Sequence, residues 1–216
     1  MQAPSAAEIT SAREALAAAD AALAIADAAV PPFAWRVRPA GFAGLSQMIL
    51  AQQVSTAAAN AIWSRFETGL GAVTPDRVLS VDEAELKRYG LSGQKARYVR
   101  AIAEAHASGL ADFDRLPQYP DETAIAALTA IKGVGRWTAE LYLLFCEARL
   151  DAFPAGDLAL QEGLRMAEGA GGRLNEKGLY VRAEAWRPYR GVAAHLLWAY
   201  YGLMKRRDGA LSGEAS

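Results

Sequence analysis

Three stretches of the chain carry residues whose types and spacing suit chemistry. In residues 153–157, FPAGD, Asp157 follows a Pro/Gly turn and opens a helical pattern. A carboxylate at that place either caps the helix by accepting from its first amides or serves as a general base or electrostatic partner, and the local sequence leaves both open. In residues 131–140, IKGVGRWTAE, Gly133 and Gly135 flank Val134 between two helical patterns, with Lys132 and Arg136 beside them. Glycines permit a tight turn and close approach of another backbone. The amides that open the next helix point at an anion, so the unit is a candidate phosphate cradle, with a plain turn between helices as the alternative. A dinucleotide-binding loop is excluded, because position 138 is Thr and a helix rather than a strand precedes. The third group is aromatic and amide: Trp137 directly after the cradle, Trp198 in HLLWAYY, and Gln52 and Gln53 in an otherwise apolar helix.

The elements that must hold these residues read as helices. Ser5 and Glu8 form a capping box for an Ala-rich helix that runs to about Val30 and is ended by Pro31-Pro32. Residues 31–41, PPFAWRVRPAG, form a connector with two aromatics and two arginines. Phe42, Leu45, Ile49, Ile62, Trp63 and Phe66 recur at helical spacing over about 42–69, and Gly69 and Gly71 stop the pattern. Thr74-Pro75-Asp76 opens a further helix, Gly90 ends a short one, and LSGQKA turns into a helix over 95–108. Asp121 caps a helix to about Ala130, and others follow over 136–148 and 157–168. The last two lie between Leu174 and Arg207, with Pro188 at the second one's start. No alternating run calls for a sheet, so the pattern predicts an all-α chain of about ten helices.

The chain's 216 residues are enough for one compact domain or two small lobes. Hydrophobic residues make up 52% of it, a globular rather than disordered composition. The net charge of −1 argues mildly against a nucleic-acid reader, but phosphates respond to local charge. The lone Cys146, in the apolar run LYLLFCE, excludes an intramolecular disulfide and a Cys₄ cluster, and with only His106 and His195 no transition-metal site is expected. Apolar runs are broken by charge well short of a membrane span, and the N-terminus lacks the features of a signal peptide. The expected location is cytoplasmic, nucleoid-associated if DNA is the ligand.

LTAIKGVGRWTAE, FPAGDLAL and EAWRPYRGVAAHLLW, in that order and with Trp137 and Asp157 twenty positions apart, resemble the helix-hairpin-helix DNA glycosylase superfamily. The branch they look most like is the bacterial 3-methyladenine DNA glycosylase II family. ILAQQVSTAAANAIW is similar to its early helix, and the resemblance covers about residues 40–205. It implies an all-α, two-lobed fold with the active cleft between the lobes. It also implies a monofunctional hydrolase that cuts the N-glycosidic bond of alkylated bases in base excision repair, with damaged double-stranded DNA as partner. Neither an obligate protein partner nor an oligomer is implied. Residues 1–40 would be an N-terminal helix and connector on the core, 41–205 the glycosylase core, and 206–216 a tail. The extra sheet domain of larger relatives is expected to be absent.

By the resemblance Asp157 is the catalytic carboxylate. One carboxylate suffices because a base alkylated at N3 or N7 is already cationic and leaves readily, unlike the sugar alkoxide that obliges ordinary glycosidases to use a second acid. Trp137 stands where lyase-type relatives carry an amine nucleophile, so no Schiff base forms. Trp137 and Trp198 align with pocket aromatics, with Gln52, Gln53, Leu158 and Tyr142 as further candidates around an extruded base. Leu158 and Leu141 fall where relatives can have tyrosine, which leaves the damage preference open. Lys132, Gly133, Val134, Gly135, Arg136 and Thr138 would grip DNA. Ser92, Gly93, Gln94 and Lys95 fall where the family inserts its wedge. The carbonyls of Thr129, Ile131 and Val134 would hold a Na or K ion, and the chemistry itself requires no cofactor. A non-catalytic DNA-binding module, or a glycosylase for ethenoadenine or deaminated bases, are the competing readings.

Overall fold

The computed structural model describes residues 3–213. Twelve α-helices and two short 3₁₀ turns, with no strand among the described residues, make it all-α. In chain order the helices are α1 (Ala6–Ala19), α2 (Ala21–Ala29), α3 (Gly41–Ala51), α4 (Thr56–Leu70), α5 (Pro75–Leu79) and α6 (Glu83–Arg88). They continue with α7 (Gly93–Ala107), α8 (Asp121–Thr129), α9 (Arg136–Phe145), α10 (Leu158–Glu168), α11 (Glu176–Ala183) and α12 (Arg190–Gly213).

Two compact units result. The first is Val37–Glu147, with α3 to α9. The second joins the chain up to Arg36 to the chain from Ala148 onward. Residues before the connector, expected to pack on the core, belong to the same unit as α10 to α12, and α12 carries the expected tail on as helix to Gly213. Residues 1, 2 and 214–216 lie outside the described residues.

Where the expected helices differ, local hydrogen bonding explains it. The Ala-rich helix is two helices, because the Asp20 carboxylate accepts the amides of Ala22 and Leu23 at 3.0 and 3.3 Å and starts α2 afresh. Burial pushes the Asp20 carboxyl up, but Arg182 and the Trp186 indole N–H, 2.7 Å away, outweigh it and hold the group below the usual carboxylate range. The 42–69 pattern likewise breaks at 52–55: Gln53 has φ of +57°, and Ser55 caps α4 by accepting the Ala58 amide at 3.2 Å. Ser92 caps α7, which starts at Gly93 rather than 95. Asp121 is the first residue of α8, and Pro120 holds the cap position. α9 ends at Phe145, short of 148.

Within the first unit α7 packs on α3, α5 and α6, and α9 on α3 and α8. Leu45, Ile49, Phe66, Ile102 and Leu128 are fully buried in its core. Tyr142 on α9 is also buried, and its hydroxyl accepts the Gly41 amide at 2.8 Å, which pins the start of α3. Cys146 is the buried packing residue the sequence suggests, its thiol pushed up to about 12 by burial. In the second unit α10 lies against α2 and α12. α10 and α12 meet at Gly163, where a Cβ would come within 2.7 Å of the Leu197 carbonyl. That close approach sets the middle of α10 against the first half of α12.

Arg187 and Arg190 are structural, as their acidic neighbours suggest. Arg190 pairs with Asp151 at 2.9 Å and Glu184 at 3.1 Å, and Arg187 with Glu184 at 2.8 Å and with Asp151.

Candidate active site and anion cradle

Asp157 caps α10 and does so with a single oxygen. Oδ1 accepts the amides of Ala159 at 2.9 Å and Leu160 at 3.2 Å, and the indole N–H of Trp198 at 3.0 Å. The capping and chemical readings of Asp157 are thus compatible. The cap fixes the rotamer of the carboxylate without removing its charge. Trp198, expected as a stacking surface, is here a hydrogen-bond donor to that carboxylate.

Trp198 is itself braced. His195 meets it edge-on, with ring centroids 5.9 Å apart, and stacks on Trp35 at 4.1 Å and on Phe33 at 5.9 Å. The Arg36 amide donates to His195 Nε2 at 3.4 Å, so the proton sits on Nδ1, which donates to the Gly191 carbonyl at 2.8 Å. The aromatic connector, which carried no functional signal in the sequence, therefore supports the carboxylate through His195 and Trp198. Replacing Trp198 by Phe removes only the N–H donor. A hydrogen bond to a charged group contributes about 2 kcal/mol, so Trp198→Phe is expected to slow base release about thirtyfold in a single-turnover assay while DNA affinity stays unchanged. A proportional loss of both would make Trp198 a packing residue only.

Burial lowers the His195 pKa to about 4 from its ordinary 6.5, with Arg36 adding to the effect and the Gly191 bond opposing it. The unfolded chain therefore takes up a proton between those values that the folded chain refuses, so stability falls as pH drops from about 6.5 to about 4 and is fully present above. The expected loss is about 3 kcal/mol. Urea titrations across that window check it, and His195→Gln should flatten the slope; an unchanged slope would remove His195 from the account.

The hairpin between α8 and α9 is built as a cradle. Gly133 has φ of +96°, and a Cβ there would stand 2.4 Å from the Tyr98 ring, so glycine is required on two counts. Val134 is buried, its amide bonded to the Ile131 carbonyl at 3.1 Å. Gly135 is the N-cap of α9 and supplies no side-chain cap, so the first-turn amides of the helix are not covered by their own cap residue. Lys132 is exposed. Arg136 is held by Glu122 at 2.6 Å and Glu140 at 3.0 Å, which offsets its charge and shifts the grip on phosphate to the main chain. Thr138, expected among the DNA contacts, is instead buried and accepts Gln52 Nε2 at 3.3 Å.

Within the same unit lies a cavity of about 450 Å³, in the size range of small-molecule sites. Met48, Ala51, Leu141 and Phe145 give it apolar walls. Trp137, 41% exposed, adds an aromatic face, and Gln52, Gln53 and Thr138 add polar groups. Trp137, Gln52 and Gln53, three of the expected pocket residues, are thus brought together on one cavity. Gln52 and Gln53 reach it from the break between α3 and α4, not from within a helix. Tyr142 does not join them, being buried under the start of α3. Leu158, at the first position of α10, is 62% exposed and has no aromatic ring to offer. Arg38 also lines the cavity and carried no signal in the sequence beyond its place in the connector.

The residues at the expected wedge have partners of their own. Ser92 caps α7. Gln94 donates to the Tyr98 hydroxyl at 2.8 Å, and the Lys95 ammonium donates to the Leu50 carbonyl at the end of α3 at 2.7 Å. Together with Gly90, Gln53 and Val54 they line a second cavity of about 300 Å³.

Comparison with known proteins fits this arrangement. Residues 46–190 match the HhH-GPD superfamily of base excision DNA repair proteins. DNA-3-methyladenine glycosylase 1 of Schizosaccharomyces pombe is 34% identical over 158 residues, covering 71% of this chain and 69% of the relative. The crystal structure of a DNA-3-methyladenine glycosidase from Bacillus halodurans superposes with a TM-score of 0.83 at 34% identity, over 90% of this chain and 91% of that one. A 3-methyladenine DNA glycosylase of S. pombe, solved in complex with abasic DNA, superposes with a TM-score of 0.74 at 28% identity, over 87% of this chain and 95% of that one.

Proposed function

The chain belongs to the HhH-GPD superfamily of base excision DNA repair proteins, and from that premise we propose that it is a monofunctional DNA glycosylase that hydrolyses the N-glycosidic bond of alkylated bases of the 3-methyladenine type. The strongest support is Asp157, locked at the start of α10 by two amides and the Trp198 indole. A carboxylate held this rigidly needs little reorganisation to meet a charge that develops in the transition state.

The steps follow from the residues. Amides at the start of α9 hold a backbone phosphate, with Lys132 adding charge. The damaged base leaves the stack and enters the cavity, against Trp137 and the amides of Gln52 and Gln53. As the glycosidic bond breaks, its electron pair goes to the alkylated base, which departs neutral. The sugar becomes cationic at C1′, and Asp157 stabilises it and takes a proton from the water that adds there. Trp137 has no amine, so the product is an intact strand with an abasic site.

The ligand is damaged double-stranded DNA, the working form a monomer, and the location the nucleoid of the cytoplasm. Among the described residues no helix is long and apolar enough to cross a membrane. A monovalent cation belongs to the same proposal. The carbonyls of Thr129, Ile131 and Val134 are neutral oxygen donors of the kind such ions take, and the Ile131 oxygen, which accepts the Val134 amide, keeps a second lone pair. When bound, the ion supplies positive charge next to phosphate.

Incubation with methylated duplex DNA tests the function. Free alkylated base should appear in the supernatant, with the strand intact until hot alkali and no borohydride-trapped adduct. DNA binding without base release would make the protein a binding module.

A further inference from the structure

Gln52 and Gln53 line both the 450 Å³ and the 300 Å³ cavity, so the break between α3 and α4 is a wall that the two share. Its own backbone does little to hold it. The Gln52 amide donates to the Ile49 carbonyl at 3.2 Å, and Gln53 keeps a φ of +57°, a left-handed conformation that residues other than glycine rarely adopt. The firmer restraint comes from other helices. Leu50 is fully buried, and its carbonyl is among the last four of α3, which a helix cannot satisfy by itself. The Lys95 ammonium on α7 donates to that carbonyl at 2.7 Å, across 45 positions of sequence. A cation at this end also meets the negative pole of the α3 dipole. From the other side, Thr138 on α9 accepts the Gln52 Nε2 at 3.3 Å. Lys95 is itself half-buried, and burial holds its pKa below the ordinary lysine value.

Building on the glycosylase proposal, we propose that Lys95 is a positioning residue for base release: by holding the Leu50 carbonyl it fixes the Gln52–Gln53 turn, and through that turn the polar wall of the base cavity, without gripping DNA itself. Removing the ammonium takes the donor away from a buried carbonyl and loosens a turn that carries a left-handed Gln53. Gln52 then loses its place against Thr138, and its carboxamide meets the extruded base in several orientations instead of one. A base held that loosely reaches the geometry for bond breaking less often, so the rate of release falls. The phosphate grip, assigned to the amides at the start of α9, is untouched. A lysine that bound phosphate would behave in the opposite way. Its loss would weaken binding to every duplex and make the salt dependence of binding shallower by about one counterion.

The test measures single-turnover release of base from methylated duplex DNA at saturating enzyme, and affinity for an abasic duplex over a salt series, for wild type, Lys95→Met, Lys95→Gln and Lys95→Arg. Lys95→Met should slow release about tenfold and leave abasic-duplex affinity and its salt dependence as in wild type. Lys95→Arg, which keeps a charged donor, should recover most of the rate. In a Gln52→Ala background, Lys95→Met should slow release by clearly less than tenfold, because the tether then has less to position. Should Lys95→Met melt below the assay temperature, the comparison passes to Gln and Arg at position 95: faster release by Arg at equal affinity supports the tether, and equal release overturns it. Weaker binding to all duplexes with a shallower salt dependence would make Lys95 a phosphate contact and overturn the inference alone, as would wild-type release by Lys95→Met or a full tenfold fall in the Gln52→Ala background. If wild type binds the duplexes and releases no base, the glycosylase proposal falls and this inference with it.

Discussion

Gly135→Glu is expected to weaken binding to undamaged, damaged and abasic duplexes alike, by about thirtyfold in fluorescence anisotropy at low salt. The size follows from charge alone. Exchanging a main-chain attraction for a carboxylate near one phosphate costs about 2 kcal/mol at an intermediate effective dielectric. The site allows the substitution to be read that way, because Gly135 has φ of −90° and a Cβ there would meet nothing within 4 Å. Gly135→Ala should therefore fold and bind nearly as the wild type does, and raising the salt should narrow the gap between Glu and Ala. Gly133 gives the contrast, since any side chain there meets Tyr98 and a strained φ, so its variants report on folding. Phosphate contacts carry no base information. A Gly135→Glu effect confined to damaged DNA would contradict the cradle.

The glycines, the Pro/Gly turn and Asp157 were legible because each is a local requirement of the backbone. Gly133 must be Gly for its φ, and Asp157 is a good cap whatever else it does. The all-α class was legible for the same reason, through periodicity and caps. Helix breaks at Asp20 and at 52–55 were not legible, because both patterns stay apolar across the break and only side-chain bonds from Asp20 and Ser55 decide it. Trp198 read as a pocket aromatic, and His195 only as one of two histidines too few for a metal site. Their bonds to Asp157, Gly191 and Arg36 join positions as far as 159 residues apart, and no local spacing encodes them. Thr138 and Arg136 show the reverse case. Both sit in the right motif, but Thr138 is turned inward toward Gln52, and Arg136 is held by Glu122 from another helix. Arg38 was invisible because a connector arginine has no signature.

Asp157→Asn carries the largest effect. Asn is the same shape, and its side-chain oxygen still accepts the Ala159 and Leu160 amides and the Trp198 N–H that the structure gives Oδ1. Fold, cap and DNA grip should therefore persist, and only the negative charge is lost. Without it the cationic sugar has no electrostatic partner at position 157 and water no proton acceptor there. Removal of one preorganised electrostatic group commonly slows reactions by two to three orders of magnitude, and losing the base as well places the expected fall at about a thousandfold or more.

The most direct measurement is therefore single-turnover release of free base from an alkylated duplex by wild type and Asp157→Asn, with affinity for an abasic duplex recorded on the same samples. Wild type should release the base, the variant should do so at a rate at least about a thousandfold lower, and abasic-DNA affinity should stay within about a factor of two of wild type. Comparable release by both proteins would contradict it.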